Sequence, residues 1–309
     1  MNKKWYFFVL MLVFVLIMDF LGGFIFNHFY FSGKSINNDR LIQSVISTNQ
    51  DVLIFGSSRA LHHYNSEIIA DSLRMSCFNA GSGGQNIYFH KALLGAALER
   101  YNPKVAVLDL MYIDFSTTPK QWETEKLSVL LPFVHKSQSV KNAVLRRGEI
   151  ENIKLLSSIY PFNSQLYYIL RNNFFTLNKD KSGFVPINRT WTGDIAAHDN
   201  RQIDFDLEKI EALYNFIETC MDHEIKLYIF VSPHYAMHSN YSMYEDISLK
   251  IESKYDLLVH NYESDSLFLS YKEYFADPFH LNALGSDVYS SIVARQMKSL
   301  DGSFDQFKK

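Results

Sequence analysis

The sequence predicts an α/β protein: a three-layer α/β/α sandwich with a mostly parallel central sheet, interrupted by a largely helical insertion and led by an N-terminal transmembrane helix. Three observations carry this expectation. Short apolar runs end in glycine or a polar residue at Asp51-Val-Leu-Ile-Phe-Gly56, Ser76-Cys-Phe-Asn79 and Val105-Ala-Val-Leu-Asp109, as strands buried on both faces do. Stretches of helical period separate such runs, and that alternation gives a parallel sheet covered by helices on both sides. Between Trp5 and Phe26 the chain is apolar apart from Asp19 and two glycines; as a helix the run measures roughly 33 Å, enough for a bilayer core.

At the N-terminus, Lys3 and Lys4 precede the apolar run and little basic follows it directly. This predicts a cytoplasmic tip and a body translocated outward. The run leaves through Phe24-Ile-Phe-Asn-His-Phe-Tyr-Phe31 with no small-x-small site, so residues 1–27 read as a retained signal anchor rather than a cleaved leader. No acylatable cysteine follows, which leaves a lipid anchor without support. Asp19 has two readings: contact with a partner helix in the bilayer, or a place near the outer end where it is protonated or snorkels.

Residues 28–50 read as a juxtamembrane linker. The first strand, 51–56, is followed by Ser57 to Leu73, which reads as one helix through Ala60, Ile68, Ile69 and Leu73. After the second strand comes the glycine-rich Ala80-Gly-Ser-Gly-Gly-Gln-Asn86, then a helix from Lys91 to Glu99 and the third strand. A helix over about Asp206 to His223 leads into a fourth strand, Ile225 to Val231, ending at Ser232-Pro233-His234; Tyr255 to Val259 reads as a fifth, and a last helix runs from about Ala283 to Leu300. The body thus occupies 51–118 and 201–300, with a flexible tail at 301–309. Residues 119–200 break the rhythm, with helical stretches near Glu125–Leu131, Ser139–Leu156 and Gln165–Asn172 and then an irregular polar run. A connection of this length is a lid or subdomain; it reads as a substrate-shaping cap, or else as a scaffold facing solvent or another protein.

Composition narrows the function classes. A 309-residue chain that is 47% hydrophobic and 15% aromatic supports a packed body. Its net charge of −3 and the lack of any Arg/Lys stripe argue against nucleic acid as a partner. Cys77 and Cys220 sit in apolar settings and read as buried thiols or one disulfide. Neither H-E-x-x-H nor a close cysteine pair is present, so neither a metal nor another cofactor is expected.

Two local patterns carry chemistry. Gly56-Ser57-Ser58-Arg59 stands where the first strand gives way to a helix. A serine on that turn is exposed at the sheet edge, with helix N–H groups nearby for a developing oxyanion. Asp277-Pro-Phe-His280-Leu-Asn282 directly precedes the last helix. A serine hydroxyl needs a neutral imidazole to take its proton and a carboxylate to orient that imidazole, and one short turn supplies both. Helix capping and a surface histidine explain each pattern equally well when taken alone.

Taken together, the blocks at 51–60 (DVLIFGSSRA), 77–86 (CFNAGSGGQN) and 276–290 (ADPFHLNALGSDVYS) resemble the SGNH/GDSL hydrolase superfamily. The resemblance is strongest to its membrane-anchored extracytoplasmic branch, related to the DltD and AlgJ/AlgX-type proteins of polysaccharide O-acyl transfer. It covers about 50–118 and 205–298 and implies an SGNH-hydrolase/flavodoxin-like fold. It implies Ser58 as nucleophile, with Ser57 the competitor that caps the helix, His280 as base and Asp277 as its carboxylate. Oxyanion donors fall on the N–H groups of Ser58 and of Gly84, with Gly83 the alternative alignment. In the family's third block an asparagine donates to the oxyanion, but this chain has Leu108-Asp109-Leu-Met-Tyr-Ile-Asp114 there; Asn86 or Arg59 is the expected replacement. His62, one turn beyond Ser58, reads as a rim or packing histidine, or as a group approaching that hydroxyl. His63, Asp109 and His234 fall near strand ends. Arg59, His62, His234 and Asn282 are the candidate substrate contacts.

The resemblance implies an extracytoplasmic serine-dependent O-acyltransferase, acetyl being the expected cargo, acting on an envelope or exported polysaccharide. An acyl-donating membrane protein is the expected partner, since no coenzyme A thioester is supplied outside the membrane. The alternatives are a carbohydrate esterase and a non-catalytic polysaccharide-binding scaffold.

Overall fold

A computed structural model describes residues 3–32, 34, 39–175, 182–194, 204–235 and 241–300. The expected tail at 301–309 lies outside them, as do parts of the linker and insertion. The body is built on a five-stranded sheet in the order β2-β1-β3-β4-β5. Its strands are β1 Val52–Phe55, β2 Cys77–Asn79, β3 Val105–Asp109, β4 Lys226–Val231 and β5 Val259–Asn261. All pairings are parallel, with Ile54 opposite Val107 and Val107 opposite Tyr228. Side chains alternate across a strand, and the core divides accordingly. Leu53, Phe55, Ala106 and Leu108 pack with Phe89 and Phe216 on one face; Val52, Ile54, Val105 and Val107 pack with Tyr289 and Val293 on the other. Helices Ile87–Leu98 and Leu207–Asp222 cover the first face, while Ser58–His63, Ser66–Leu73 and Ala283–Leu300 cover the second. The result is three layers, helix, sheet and helix.

Two elements differ from expectation. The single helix predicted from Ser57 to Leu73 is two, broken at Tyr64-Asn65. Asn79 Nδ2 takes up the carbonyls of Ala60 (2.7 Å) and Tyr64 (2.9 Å), and Asn65 caps the second helix by accepting from Glu67 N–H. The predicted strand Tyr255–Val259 begins only at Val259. Helix Tyr241–Tyr255 runs through its first residue, the Tyr255 hydroxyl donates to Glu218 at 2.7 Å, and Asp256 turns the chain at φ +51°.

The apolar N-terminal run is one helix, Lys3–Tyr30, long and apolar enough to cross a membrane. The insertion forms Lys120–Glu125, a 3-10 stretch Lys126–Phe133, Gln138–Leu145, Glu151–Lys154 and Leu166–Phe174. It joins the body where Gly95 abuts Ser139 closely enough that a Cβ would lie 2.4 Å from Ser139 Oγ. It also grips the N-terminal helix. Asp19 accepts from Ser157 Oγ (2.5 Å), Ser158 N–H (2.7 Å) and Ile159 N–H (3.4 Å), Phe26 meets Phe162, and Asn173 Nδ2 donates to Phe29 O. Among the described residues, the partner of Asp19 is thus a turn of its own chain. Past the insertion's helices, residues 182–194 cross the carboxyl edge of the sheet, bound through Ser182 O to Asn79 N–H, Val185 N–H to Leu61 O, and Ile187 O to Ala283 N–H. Cys77 and Cys220 are free and buried in the two opposite core clusters, which excludes the disulfide among the two readings.

Candidate active site

In this sheet order the chain turns in opposite directions from β1 and β3, and side chains beyond their carboxyl ends face a common crevice. Gly56 ends β1 at φ +139°, where a Cβ would lie 2.8 Å from both Asp109 O and Ala60 Cβ. Only glycine fits. The next residues, Ser57 and Ser58, start the helix Ser58–His63 at that edge. Opposite them, β6 Phe275–Asp277 and β7 His280–Leu281 form an antiparallel hairpin. Its turn is tied by Asp277 Oδ1, which accepts from the N–H groups of Phe279 and His280 at 3.0 Å each.

These two turns meet. His280 Nδ1 lies 2.9 Å from Asp277 Oδ1, and His280 Nε2 lies 2.8 Å from Ser58 Oγ. A carboxylate only accepts, so Nδ1 carries the proton and Nε2 offers its lone pair to the serine hydroxyl. Burial pushes the Asp277 carboxyl up, but hydrogen bonds from the Phe279 N–H, His280 and Arg189 outweigh it and hold the group below the usual carboxylate range. Arg189 donates to Asp277 Oδ2 at 3.0 Å.

The backbone near Ser58 offers donors. A Cβ on Gly83 would lie 3.8 Å from Ser58 Cβ, while nothing lies within 4 Å of that position on Gly84. A side chain on Gly83 would thus face Ser58, and one on Gly84 would face open space. Gly84 has φ +72°, a conformation that favours glycine. Among the described residues, the N–H groups of Ser58, Gly83 and Gly84 make no hydrogen bond.

Several expected contacts lie elsewhere. The Asn86 side chain is buried and donates to Glu123 Oε2 and Glu123 O, which withdraws its amide from the oxyanion role. Arg59 is buried beneath the site, donating to Leu110 O (2.8 Å) and Ser232 O (3.2 Å) beside Asp109 at 3.5 Å. It ties strand ends together and does not replace the missing donor. Asn282 caps the last helix, its Oδ1 accepting from Gly285 N–H and its Nδ2 donating to Glu273 O. His234 is buried against Glu263 at 2.7 Å. Asn282, His234 and Arg59 are thus all buried, with polar atoms engaged within the protein. Ser57, expected to cap the helix, makes no capping bond; its hydroxyl points to Met111 Sδ and Asp114. His62 holds the rim: its Nδ1–H donates to Val185 O at 2.7 Å, and its ring stands 5.5 Å from that of His280. Burial lowers its pKa.

Four groups near the site have roles that the sequence leaves unassigned. His63 is fully buried; its Nε2 accepts the Leu281 N–H at 2.9 Å, so its Nδ1–H donates to Ser232 Oγ at 3.0 Å. It therefore holds the backbone next to His280 from behind, and burial with the neighbouring His280 and Arg59 charges keeps it neutral, well below the ordinary histidine range. Asp109 Oδ1 accepts from Tyr64 OH (2.7 Å) and Ser232 N–H (3.1 Å). Asp114 lies beside Ser57, and burial pushes its carboxyl up to about 7. Arg189 reaches Asp277 from a segment with no motif of its own. Compared with known proteins, the chain matches no family model and no curated protein.

Proposed function

We propose that this chain is a membrane-anchored, extracytoplasmic serine O-acyltransferase of the SGNH/GDSL type, transferring an acyl group, acetyl foremost, to a hydroxyl of an envelope polysaccharide. The observation that carries this reading is the chain of two hydrogen bonds from Asp277 through His280 to Ser58, at 2.9 and 2.8 Å. Reach of this kind between nucleophile, base and orienting carboxylate is the geometric requirement for acyl transfer through serine. The 2-1-3-4-5 strand order supports the flavodoxin-like assignment, as does the position of Ser58 beyond β1.

In the proposed reaction His280 Nε2 takes the Ser58 proton as Oγ attacks the carbonyl carbon of an ester or thioester. The Ser58 and glycine N–H groups hold the oxyanion, and the protonated His280 returns its proton to the leaving oxygen or sulfur as the acyl–Ser58 ester forms. A sugar hydroxyl then gives its proton to His280, attacks the acyl carbon and leaves as the new ester, with the proton returned to Ser58 Oγ. Asp277 stabilises the imidazolium in both halves. Lys3 and Lys4 before the apolar helix support an outward-facing body, where a membrane protein would supply the acyl donor. A groove between the glycine segment at Gly81 and Ser82 and Tyr30 at the top of the anchor, walled by Arg40 and Arg171, suits a donor arriving from that side.

Both S58A and H280A are expected to lower acyl transfer at least about a thousandfold and to abolish labelling by a fluorophosphonate; full turnover in either variant rejects the reading. Partition of the acyl group between water and rising acceptor sugar separates transferase from esterase. One observation favours a binding protein that keeps the fold: Leu110 and Met111 follow β3, where the family has its side-chain oxyanion donor. Glycan binding without labelling of Ser58 would establish that alternative.

A further inference from the structure

We propose that the insertion is itself embedded in the membrane. The turn at 157–159, with Ile153 and Leu156 leading into it, lies in the outer leaflet beside the anchor, against lipid; helix Leu166–Phe174, held at Phe29 and Ser32, lies higher, with its apolar outward face at the headgroup boundary. The inference rests on the anchor crossing the bilayer and is independent of the chemistry at Ser58.

Depth is the first argument. The turn docks at Asp19, yet the apolar run continues seven residues to Phe26, about 10 Å further along the helix. A span that starts after Lys4 and needs about 20 apolar residues reaches its outer boundary near Phe24, beyond the level of the turn. Phe20 and Phe24 remain exposed to either side. The close seam depends on glycine, since a Cβ on Gly23 would lie 2.3 Å from Ser158 Cβ.

The second argument is the surface. Helix Leu166–Phe174 turns Ile169 and Asn172 inward and presents Leu166, Leu170 and Phe174 outward, at i, i+4 and i+8. A helix bordering water shows the opposite arrangement. With Ile153, Leu156 and Phe175, these side chains are between 45% and 82% exposed. Packing of the helix and turn against the anchor makes the patch continuous with the anchor's own lipid-facing side. That continuity selects acyl chains as the occupant.

The third argument is polarity. Backbone N–H groups in hydrocarbon require partners, and Asp19 supplies them to Ser158 and Ile159. Glu151, the buried carboxylate nearby, is bound by Arg147, Lys154 and Tyr160.

The test uses the full chain in phosphatidylcholine/phosphatidylglycerol vesicles recovered by flotation, so that only anchored protein is read. An environment-sensitive nitrobenzoxadiazole probe is placed on I153C, L156C and, as a control, L267C on the helix Ser266–Leu269 beside the opposite core cluster. Probes at 153 and 156 are expected to emit to the blue of the control and to lose emission to doxyl-labelled lipid but not to aqueous iodide, with the reverse at 267. If both behave like 267 the proposal fails. It fails equally if they are shielded only after a second membrane protein is added, which would assign the patch to a protein partner.

Discussion

His63 is one imidazole behind another, and its work is positional. Replacing it by phenylalanine keeps volume but leaves the Leu281 N–H without its acceptor, a loss of about 1–3 kcal/mol at a buried site felt one residue from His280. H63F is expected to lower kcat about tenfold or more with KM little changed, and H63Q, which can still accept and donate, to recover part of it; steady-state kinetics on the three proteins check this. Asp114 gives a pH signature. An aspartate in the unfolded chain loses its proton near pH 4, whereas here the pKa is about 7. Between those values the folded chain binds more protons than the unfolded one, so stability falls as pH rises through that window. D114N is expected to remove this contribution, read as a smaller difference between denaturation midpoints at pH 5 and pH 8. Ser58, Asp277 and His280 are legible in the sequence because each sits in a short motif whose neighbours fix its backbone. His63 and Arg189 are not legible: their partners, Leu281 and Asp277, stand 218 and 88 positions away, and nothing local announces them. Asn86 and Arg59 misled for the same reason, since nearness in sequence to Gly84 and to Ser58 says nothing about where a side chain finds its partner.

At the scale of elements, apolar runs predict the first four strands well, because a strand buried on both faces has no polar position to confuse its reading. Periodicity handles breaks poorly. The stop at Tyr64-Asn65 is written in Asn79, a residue of another strand that accommodates the freed carbonyls. The insertion shows the same limit: its helical character is readable, but an apolar stripe does not say whether protein, lipid or substrate lies against it. The seam between insertion and anchor is a place where volume decides. G23V would force a branched side chain into Ser158, where even a Cβ meets backbone at 2.5 Å, and overpacking of this kind typically costs about 1–3 kcal/mol. The expected outcome is faster protease cleavage between residues 150 and 175 in detergent, with fluorophosphonate labelling of Ser58 less affected than the cleavage rate.

Over the whole molecule, two buried thiols on opposite sides of the sheet report on global integrity. Burial pushes Cys220 up to about 12 and Cys77 higher, and only the thiolate attacks. Ellman's reagent is therefore expected to leave the native chain unmodified and to react with both cysteines once it unfolds, and reductant is expected to leave Tm unchanged. The layered architecture is legible from alternation alone. The joining of anchor and body is not, because the sequence between them reads as a slack linker while the joining contacts come from residues more than a hundred positions further along. Those contacts hold the helix from Asp19 to Phe29, and they make it a post rather than a tether. Under the proposed function, a hydroxyl carried on a post works at one fixed elevation, so the reach of such a protein into the layer it faces is set by its own girth, and whatever it acts on must come down to meet it.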